Sequence, residues 1–443
     1  MPRTRKPELS DDQREVLDKV VNKRKSIFFT GCAGVGKSLL ISKIVEGLKE
    51  KLGHSGQVVI TASTGRAAFN ISGCTLHSFA GIGLGKEDAS VLANKIMFNN
   101  TTRHRWTKVK ALIVDEISMI DGRLFDKLDY IAKHVRKSSN PFGGIQLILT
   151  GDFLQLPPVS QRSTGEPEAL RAFQAEAWSS CIKEYACLRT IYRQNDSEFV
   201  IALAKLRIGH MDEPTINLFS NLSRELSPQD EGEPVNLYAT KAKADRYNNE
   251  RLMSIEGQEY IYDCDDFTQR KASSDILKQC PAPASVVFKK GAQVMLIRNL
   301  NTDLVNGTIG IVTGFTNPID KTYENRVFRE ASPIVRFTLT NGRMYTKVLD
   351  RSIWEVRHGD GSLLASRYQI PLILAWAVTI HKSQGQTIQR LRVHLGEVFE
   401  SGQVYVALSR AVNAENLQVI GLNPSSVRTD SESLNFYVDN DLL

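Results

Sequence analysis

A glycine-rich segment with the sequence GCAGVGKS carries the residue types that bind phosphate groups in proteins. Gly31, Gly34 and Gly36 allow the backbone to curl so that its N–H groups converge on phosphate oxygens. Lys37 is long enough to reach the β- and γ-phosphates, and the Ser38 hydroxyl is placed to ligate Mg²⁺. The segment therefore predicts a binding site for a nucleoside triphosphate.

Acidic and amide side chains follow two other apolar runs of the chain. Asp115 and Glu116 end the run that begins at Leu112, and Gln155 follows the run over 145–150. Open α/β sheets bind their ligands at the carboxyl ends of the strands. Asp115 is thus a candidate for the Mg²⁺ shell, Glu116 for orienting or deprotonating a water, and Gln155 for a γ-phosphate contact. The alternatives are a simple strand exit and an ordinary loop.

Two arginines come from the later part of the chain, Arg193 within a YRQ motif and Arg410 within a VALSR motif. A guanidinium that reaches the γ-phosphate across a cleft stabilises the charge of the transition state. It also makes the closure of two domains depend on that phosphate. Taken singly, either arginine could instead be a surface or ion-paired residue.

The scaffold for these side chains is predicted from the order of apolar runs along the chain. Four buried-strand candidates in the first part alternate with helical patterns, such as the one over 122–137. Strands that alternate with helices form a parallel sheet covered on both faces. The four candidates are 27–30, 58–61, 112–116 and 145–150.

A second α/β domain with an inserted β unit is predicted to follow. Its buried-strand candidates are 235–239, 370–378, 391–395 and 417–420. Residues 257–365 differ in composition from the rest of the chain, because they are rich in β-branched residues and turn signals. Hairpin signals occur at Asn306-Gly307 and Asn341-Gly342. This segment is predicted to form a small all-β unit inside the second α/β domain.

Composition excludes several classes of protein. The chain has 443 residues, 42% hydrophobic and 24% charged, which is typical of a globular protein, and its net charge of +7 weakly supports a polyanionic partner. The six cysteines lack metal-binding spacing, which favours a reducing compartment and argues against a zinc site. No apolar run has membrane-spanning length, and the N-terminus lacks the apolar core of a secretory signal.

The motifs and their order resemble those of the superfamily-one helicases. The segment 118–136 is similar to the signature insertion of the PIF (petite integration frequency) DNA helicases, and RecD-like helicases share the later motifs but not this segment. The resemblance covers nearly the whole chain. The matching segments are 9–13, 31–38, 61–68, 115–118, 151–158, 192–194, 376–385 and 406–410.

The resemblance implies an α/β fold with two RecA-like P-loop NTPase domains and with ATP and Mg²⁺ as cofactors. The first domain would span 1–188 and contain a small strand-separating wedge at about 83–106. The second would comprise 189–256 and 366–443. An SH3-like β domain, 257–365, would be inserted into it.

The resemblance also implies roles for individual residues of the nucleotide site. Gln13 would contact the adenine edge, and Gly385 would let the backbone approach the nucleotide. Val35 and Leu39 belong to the same binding segment. The implied metal ligands are Ser38 and Asp115, and the implied catalytic set is Lys37, Glu116, Gln155, Arg193 and Arg410.

Hydroxyl, imidazole, cationic and aromatic residues recur after the predicted strands of both α/β domains. A translocating protein must hold a nucleic-acid backbone without reading bases, and small hydroxyls with a few cations suit that task. A single histidine or phenylalanine is as compatible with a core role, but the corresponding sets favour a DNA track. The candidates are Ser63, Thr64, Arg66, His77, Phe79, Thr240, Lys241, Thr379, His381 and Lys382.

By the same resemblance, the protein would be an ATP-dependent DNA helicase that moves 5′→3′ on single-stranded DNA. Its expected substrates are duplexes, forks and other junctions, RNA–DNA hybrids and G-quadruplexes, in replication, repair, recombination and telomere maintenance. We expect a monomer, with a dimer on DNA as an alternative, and no membrane partner. The expected location is the nucleus or mitochondrion of a eukaryote, or otherwise the cytoplasm, without secretion. The early first helical pattern is compatible with missing natural flanks.

Two other functions fit part of the sequence. One is a single-strand-binding scaffold that binds ATP but does not move, which the intact Lys37, Glu116, Arg193 and Arg410 disfavour. The other is an RNA helicase or remodeller of the same superfamily, which the signature segment disfavours.

Overall fold

The structure, a computed structural model, describes most of the chain but not every side chain. The described residues are 8–53, 56–158, 168–194, 196–226, 232–269, 277, 280–301, 303–323, 326–339, 343–357 and 363–443, and the side chains of 66, 69–70, 321–323, 326–328, 356–357 and 364 are outside the description. The hairpin signal at Asn341-Gly342 therefore lies outside the described residues. Within them, no helix has the length and apolar character needed to cross a bilayer.

A parallel sheet with helices on both faces forms the first α/β domain. Its strands are β1 (Ile27–Gly31), β2 (Val58–Ala62), β3 (Cys74–Thr75), β4 (Ala111–Asp115), β5 (Gln146–Thr150) and β6 (Glu184–Leu188). Its helices are α1 (Asp11–Val21), α2 (Lys37–Leu52), α3 (Gly65–Asn70), α4 (Leu76–Ala80), α5 (Ala89–Phe98), α6 (Asn100–Lys108), α7 (Gly122–Arg136) and α8 (Trp178–Cys181). The six strands lie in the order β3-β2-β4-β5-β1-β6, so β1 and β4 carry their following loops to the same edge.

The side chains of β1 explain why the sheet is covered on both faces. Ile27 and Phe29 pack in one apolar cluster with α1 and α2, whereas Phe28 packs in another cluster with α5 and α7. Successive side chains of a strand point to opposite faces, so a strand buried on both faces must be apolar throughout. This confirms the parallel α/β domain predicted from the alternation of apolar runs and helices.

The second α/β domain begins before the β-rich insertion. Its first elements are α9 (Ser197–Arg207), α10 (Glu213–Asn221), β7 (Val235–Tyr238) and α11 (Lys241–Met253). The chain then forms β8 (Tyr260–Asp263), β9 (Asp265–Thr268), β10 (Ser285–Phe288), β11 (Gln293–Leu296), β12 (Ile309–Phe315), β13 (Ile319–Tyr323), β14 (Arg326–Glu330), β15 (Pro333–Thr338), β16 (Met344–Val348), β17 (Ser352–Arg357), β18 (Leu363–Gln369) and β19 (Leu372–Leu374). Five of these strands form an antiparallel sheet in the order β16-β15-β12-β11-β19.

The chain returns to the second α/β domain after this insertion. The remaining elements are β20 (Ala377–Thr379), α12 (Ile380–Ser383), β21 (Leu391–His394), α13 (Gln403–Leu408), β22 (Leu417–Ile420) and α14 (Ser431–Asp439). Four strands form a second parallel sheet in the order β20-β7-β21-β22. The α/β class with two parallel sheets is therefore confirmed.

The single strand predicted over 370–378 is wrong. β19 pairs antiparallel with β11 of the inserted sheet, whereas β20 pairs parallel with β7 of the second α/β domain. Leu372 of β19 and all of β20 are buried, but in different sheets, so the apolar run is continuous although the strand is not. The β-rich unit consequently extends past its predicted end at residue 365.

The C-terminal helix was predicted to belong to the second domain, and this is also wrong. Tyr437 and Leu442 are fully buried in the cluster of the first domain that contains Phe28, Phe153 and Trp178. Phe436 stacks on Phe173, with ring centroids 4.3 Å apart. Aromatic contacts of this kind fix α14 on the first α/β domain.

The segment 83–106 is not a separate lobe. Helices α5 and α6 pack on α7, and Trp106 is fully buried with its indole Nε1 donating to the Ala80 carbonyl at 3.1 Å. Exposed apolar side chains remain at Leu84, in the loop before α5, and at Phe98, at the end of α5. Val91, on α5, is a third exposed apolar side chain of this segment.

Candidate functional site

A cavity of about 470 Å³ lies between the two parallel sheets and is lined by residues of both α/β domains. Predicted site residues from the first domain on its wall are Gly34, Val35, Gly36, Lys37, Ser38, Asp115, Glu116 and Gln155. From the later part of the chain, Arg193, Gly385 and Arg410 line the same wall. The structure thus brings together the separate motifs on which the nucleotide-site prediction depended.

The glycine-rich segment is a tight loop between β1 and α2. Gly34 and Gly36 have φ values of +91° and +79°, which side chains other than glycine rarely adopt. A Cβ atom at Gly34 would lie 2.6 Å from the Cβ of Arg193. The Lys37 ammonium donates to the carbonyls of Gly31 at 2.6 Å and Cys32 at 3.1 Å, which holds the loop closed around it.

Three predicted nucleotide-site residues are not on the cavity wall. Gly31 ends β1 beneath the loop, and Leu39 lies in the first turn of α2. Gln13 is fully buried, with its Nε2 donating to the Val35 carbonyl at 3.0 Å and its Oε1 accepting from Ser10 at 3.1 Å. In this arrangement the Gln13 amide braces the phosphate loop.

The acidic pair stands at the end of β4, on the floor of the cavity. Burial, and next the neighbouring charge of Glu116, raises the pKa of Asp115 to about 7. Burial also raises the pKa of Glu116, against the opposing effects of Lys37 and Arg410. Glu116 has left-handed backbone angles of φ 53° and ψ 45°, a strained conformation typical of functional positions. A cation at this site would stabilise both charged carboxylates.

The donor set fits Mg²⁺ better than a transition metal. The described residues contain no cluster of three or more histidine, cysteine or acidic side chains that could cage a metal. Asp115 and the exposed Ser38 hydroxyl offer hard oxygen ligands on the same cavity wall. Mg²⁺ is usually held by one or two carboxylates together with substrate phosphates and water, so this sparse set suffices.

Sequence reasoning did not single out Gln384, which reaches the acidic pair from the second domain. Its Nε2 donates to Glu116 Oε2 at 3.1 Å. Gln384 directly follows α12, which carries the predicted DNA-track residues His381 and Lys382. The hydrogen bond therefore connects the predicted track with the predicted general base.

The half-buried Arg193 and the fully buried Arg410 both line the cavity, and neither guanidinium donates to a carboxylate of the described residues. Arg193 Nη1 donates to the Ser409 carbonyl at 3.1 Å, and Arg410 Nε donates to the Val406 carbonyl at 2.8 Å. Burial, and next the nearby Arg193, lowers the pKa of Arg410 to about 9. Burial also lowers the pKa of Arg193. Phosphate oxygens in the cavity would stabilise the charged form of both guanidinium groups and so offset the effect of burial.

A buried network holds the loop that carries Gln155. Gln155 Nε2 donates to Asp152 Oδ2 at 3.1 Å, and the Arg207 guanidinium makes two 2.9 Å bonds to the same carboxylate. Burial alone would raise the pKa of Asp152, but Arg207 outweighs it and the net pKa is lowered. The hydroxyl of Tyr437 also contacts Asp152, at 3.1 Å. Arg207 and Tyr437 were not predicted, because nothing near them in sequence marks a ligand site.

The second domain also touches this loop through Gly402, which precedes α13. Gly402 has φ +75°, and a Cβ there would lie 2.7 Å from the carbonyl oxygens of Leu154 and Gln155. We expect Gly402→Ala to push the loop away and to lower ATP turnover about tenfold, with a loss of roughly 1–3 kcal/mol in unfolding free energy.

Steady-state ATP turnover and thermal unfolding would measure both effects of Gly402→Ala. Gly396→Ala is the matched control, because a Cβ at Gly396 meets no atom within 4 Å. Equal turnover in the two variants would contradict the close approach.

The predicted DNA-track residues follow the two strands nearest one edge of each parallel sheet. Strands β2 and β3 are neighbours at one edge of the first sheet, and β7 and β20 at one edge of the second. The Thr64 hydroxyl accepts from the Ala67 amide at 3.2 Å, and Thr379 from the Lys382 amide at 3.1 Å. A threonine hydroxyl that accepts a backbone N–H keeps its own proton for another acceptor.

The remaining track residues differ in their surroundings. Ser63 Oγ is buried and makes no hydrogen bond within the described structure. Thr240 precedes α11 without a side-chain cap, and Lys241 is exposed. His381 Nε2 pairs with Glu400 Oε2 at 3.1 Å. The Arg66 side chain lies outside the described residues.

The prediction that Phe79 stacks on a base is wrong. Phe79 has no exposed surface and packs against Trp106, with ring centroids 5.1 Å apart. The neighbouring His77 is half-buried, and burial lowers its pKa. Phe79 therefore belongs to the apolar core of the first domain. The hydroxyls and His77 remain the candidate DNA contacts in this segment.

Two family models match the chain. Residues 8–214 match the PIF1-like helicase model, and residues 273–315 match the model of the 2B domain of the DNA helicase Pif1. The chain is 40% identical to the ATP-dependent DNA helicase PIF1 of Emericella nidulans, over 99% of its own length and 64% of that protein. It is 40% identical to the human ATP-dependent DNA helicase PIF1, over 98% of its own length and again 64% of that protein. The chain thus spans less than two thirds of the length of these relatives.

Comparison with solved structures leads to the same helicase family. The crystal structure of Pif1 helicase from Candida albicans superposes with a TM-score of 0.80 at 40% identity, covering 98% of this chain and 100% of that one. Pif1 from a Bacteroides species in complex with ADP-AlF4 superposes at 0.79, with 26% identity and 98% of each chain covered. Bacteroides Pif1 bound to single-stranded DNA superposes at 0.64, with 27% identity and coverage of 98% and 97%. The chain belongs to the PIF1-like helicase family.

Proposed function

We propose that this chain is an ATP-dependent DNA helicase that couples closure of its two α/β domains to movement along single-stranded DNA. The observation that carries the proposal is the shared cavity, where Lys37 and Glu116 of the first domain face Arg193 and Arg410 of the later chain. A γ-phosphate between these groups would hold the domains together, and its loss would release them.

The residues of the cavity have complementary tasks in ATP hydrolysis. Ser38 and Asp115 would hold Mg²⁺, which neutralises phosphate charge when it is bound. Glu116 would orient the attacking water and accept its proton, because its carboxylate is the one without a metal task. The two guanidinium groups would stabilise the charge of the transferred phosphoryl group. The bound ADP-AlF4 of the Bacteroides relative supports this use of the site.

The track for single-stranded DNA would run along the edge strands of both parallel sheets. Thr64, which follows β2, and Thr379, which ends the edge strand β20, each accept a backbone N–H at the start of a short helix. Their hydroxyl protons and the exposed Lys241 suit contacts with phosphates rather than with bases. The single-stranded DNA complex of the Bacteroides relative supports this partner.

The domain roles follow from this track. We assign residues 8–188 and α14 to the first motor domain, residues 189–256 and the return from β20 to β22 to the second, and the β-rich unit between them to the SH3-like insertion that the resemblance implies. The exposed apolar side chains Leu84, Val91 and Phe98 are the candidates for a wedge. Forked DNA is the favoured substrate, since a structural relative is described with two coordinating helicases at forked DNA.

The remaining expectations that follow from the family resemblance are also part of this proposal. They are movement in the 5′→3′ direction, action on RNA–DNA hybrids and G-quadruplexes, and roles in replication, repair, recombination and telomere maintenance. A eukaryotic nucleus or mitochondrion is the proposed location. A monomer is the proposed free state, with a dimer as the alternative on forks.

Matched duplexes with only a 5′ or only a 3′ single-stranded tail test activity and polarity together. The proposal expects ATP-dependent strand displacement from the 5′-tailed duplex alone. ATP hydrolysis stimulated by DNA without displacement of either duplex would contradict the helicase and leave a scaffold or translocase. Preference for an RNA track in the same assay would favour an RNA helicase.

A further inference from the structure

The helix α14 lies against the nucleotide-binding domain although it is the last helix of the chain. Tyr437, on this helix, has no exposed surface. Its hydroxyl lies 2.7 Å from the Thr30 hydroxyl, accepts from the Phe153 amide at 3.0 Å and donates to Asp152 Oδ1 at 3.1 Å. Thr30 directly precedes the phosphate loop, so one hydroxyl touches both segments that lead to the phosphate side of the cavity.

Asp152 connects Tyr437 to Gln155 through hydrogen bonds. Its Oδ1 accepts from Tyr437 and from the Leu154 amide at 3.2 Å, and its Oδ2 accepts from Gln155 Nε2 at 3.1 Å. The Arg207 guanidinium holds both carboxylate oxygens and lies over the Tyr437 ring, 5.1 Å from its centroid. A buried carboxylate with this many donors has one preferred orientation, because any rotation would leave a donor unpaired.

We propose that Tyr437 is a positioning residue for ATP hydrolysis, which sets the placement of Gln155 at the γ-phosphate through Asp152. The inference rests on the proposed function, because it requires the cavity to hold ATP. With this role, α14 contributes to the nucleotide site in addition to packing on the first domain. It also connects the site to α9, the first helix of the second domain, because Arg207 belongs to that helix.

Tyr437→Phe removes the hydroxyl and keeps the ring. The expected result is a fall in kcat of about tenfold with the KM for ATP within twofold, because misplacement of a transition-state contact costs turnover more than binding. Affinity for ADP should stay within twofold, whereas affinity for ADP with aluminium fluoride should fall about tenfold. This split follows because Gln155 would contact only the γ-phosphate position.

Tyr185→Phe is the matched control for Tyr437→Phe. Tyr185 lies in the same aromatic cluster, 5.9 Å from Phe436, and its hydroxyl accepts from Trp178 Nε1 at 3.2 Å rather than touching either loop. Thermal unfolding of both variants separates the catalytic effect from a general loss of stability.

Two outcomes would overturn the positioning role of Tyr437. One is kcat in Tyr437→Phe equal to that of the control, and the other is an equal loss of affinity for ADP and for ADP with aluminium fluoride. Absence of DNA-stimulated turnover in the unmodified protein would instead contradict the proposed function, while the two binding measurements would still decide the role of Tyr437.

Discussion

Replacement of Lys37 by alanine is expected to reduce ATP hydrolysis to background, a loss on the order of 10³-fold, while DNA binding changes less than about threefold. The ammonium is the cation of the phosphate loop, where it contacts the carbonyls of Gly31 and Cys32. Without it, the β- and γ-phosphates lose a half-buried positive charge. The predicted DNA contacts lie on other loops, so they keep their geometry.

Phosphate release with and without single-stranded DNA, together with DNA binding by fluorescence anisotropy, would measure both effects of Lys37→Ala. Lys43→Ala is the control, since Lys43 lies on the same helix and pairs at the surface with Glu46 at 2.6 Å. Normal turnover in Lys37→Ala would refute the assignment of the cavity as the ATP site.

Replacement of Arg410 by alanine is expected to slow hydrolysis by on the order of 10³-fold, whereas the Kd for ATP rises less than about tenfold. Arg410 is almost completely buried and oriented by the Val406 carbonyl and the Ser409 hydroxyl, which is at 2.8 Å from Nη2. Its charge acts most strongly when negative charge develops on the phosphoryl group. Ground-state binding depends more on the phosphate loop.

Single-turnover hydrolysis and equilibrium binding of a fluorescent ATP analogue separate these two quantities for Arg410→Ala. Arg224→Ala is a suitable control, because Arg224 is an exposed arginine of the second domain that donates to the Glu415 carbonyl. A large loss of ATP affinity with unchanged single-turnover rate would show that Arg410 serves binding instead. Thermal unfolding would report any effect of leaving the Val406 carbonyl unpaired.

The parts of the fold that local sequence patterns determine were predictable. The phosphate loop follows from the glycines, whose φ values require them, and the central strands β1, β4 and β5 follow from apolar runs buried on both faces. The edge strands β3 and β6 of the first sheet were not predicted, because they are short or only partly buried. The run over 370–378 shows the limit of this reasoning. Hydrophobicity records that a segment is buried but not in which sheet, so the break between β19 and β20 left no signal.

The parts of the site that depend on distant contacts were not predictable. Gln384 meets Glu116 across 268 positions of sequence, and Tyr437 meets Asp152 across 285. Neither residue type is distinctive by itself, and only the packing of whole domains brings the partners together. The prediction for Phe79 was wrong for a related reason, because an aromatic side chain can stack on a base or pack in an apolar core equally well.

The return of α14 to the first domain has a consequence for how the protein is made. A ribosome delivers the first domain before the second, yet the rings of Phe28, Phe153 and Trp178 pack on Phe436, which is translated after both. We expect nascent chains halted before residue 431 to be cut by protease in the first domain far faster than the completed chain. Pulse proteolysis of stalled and released chains would measure this difference, and equal resistance would contradict it. The first domain would then become resistant to protease only after α14 has been synthesised.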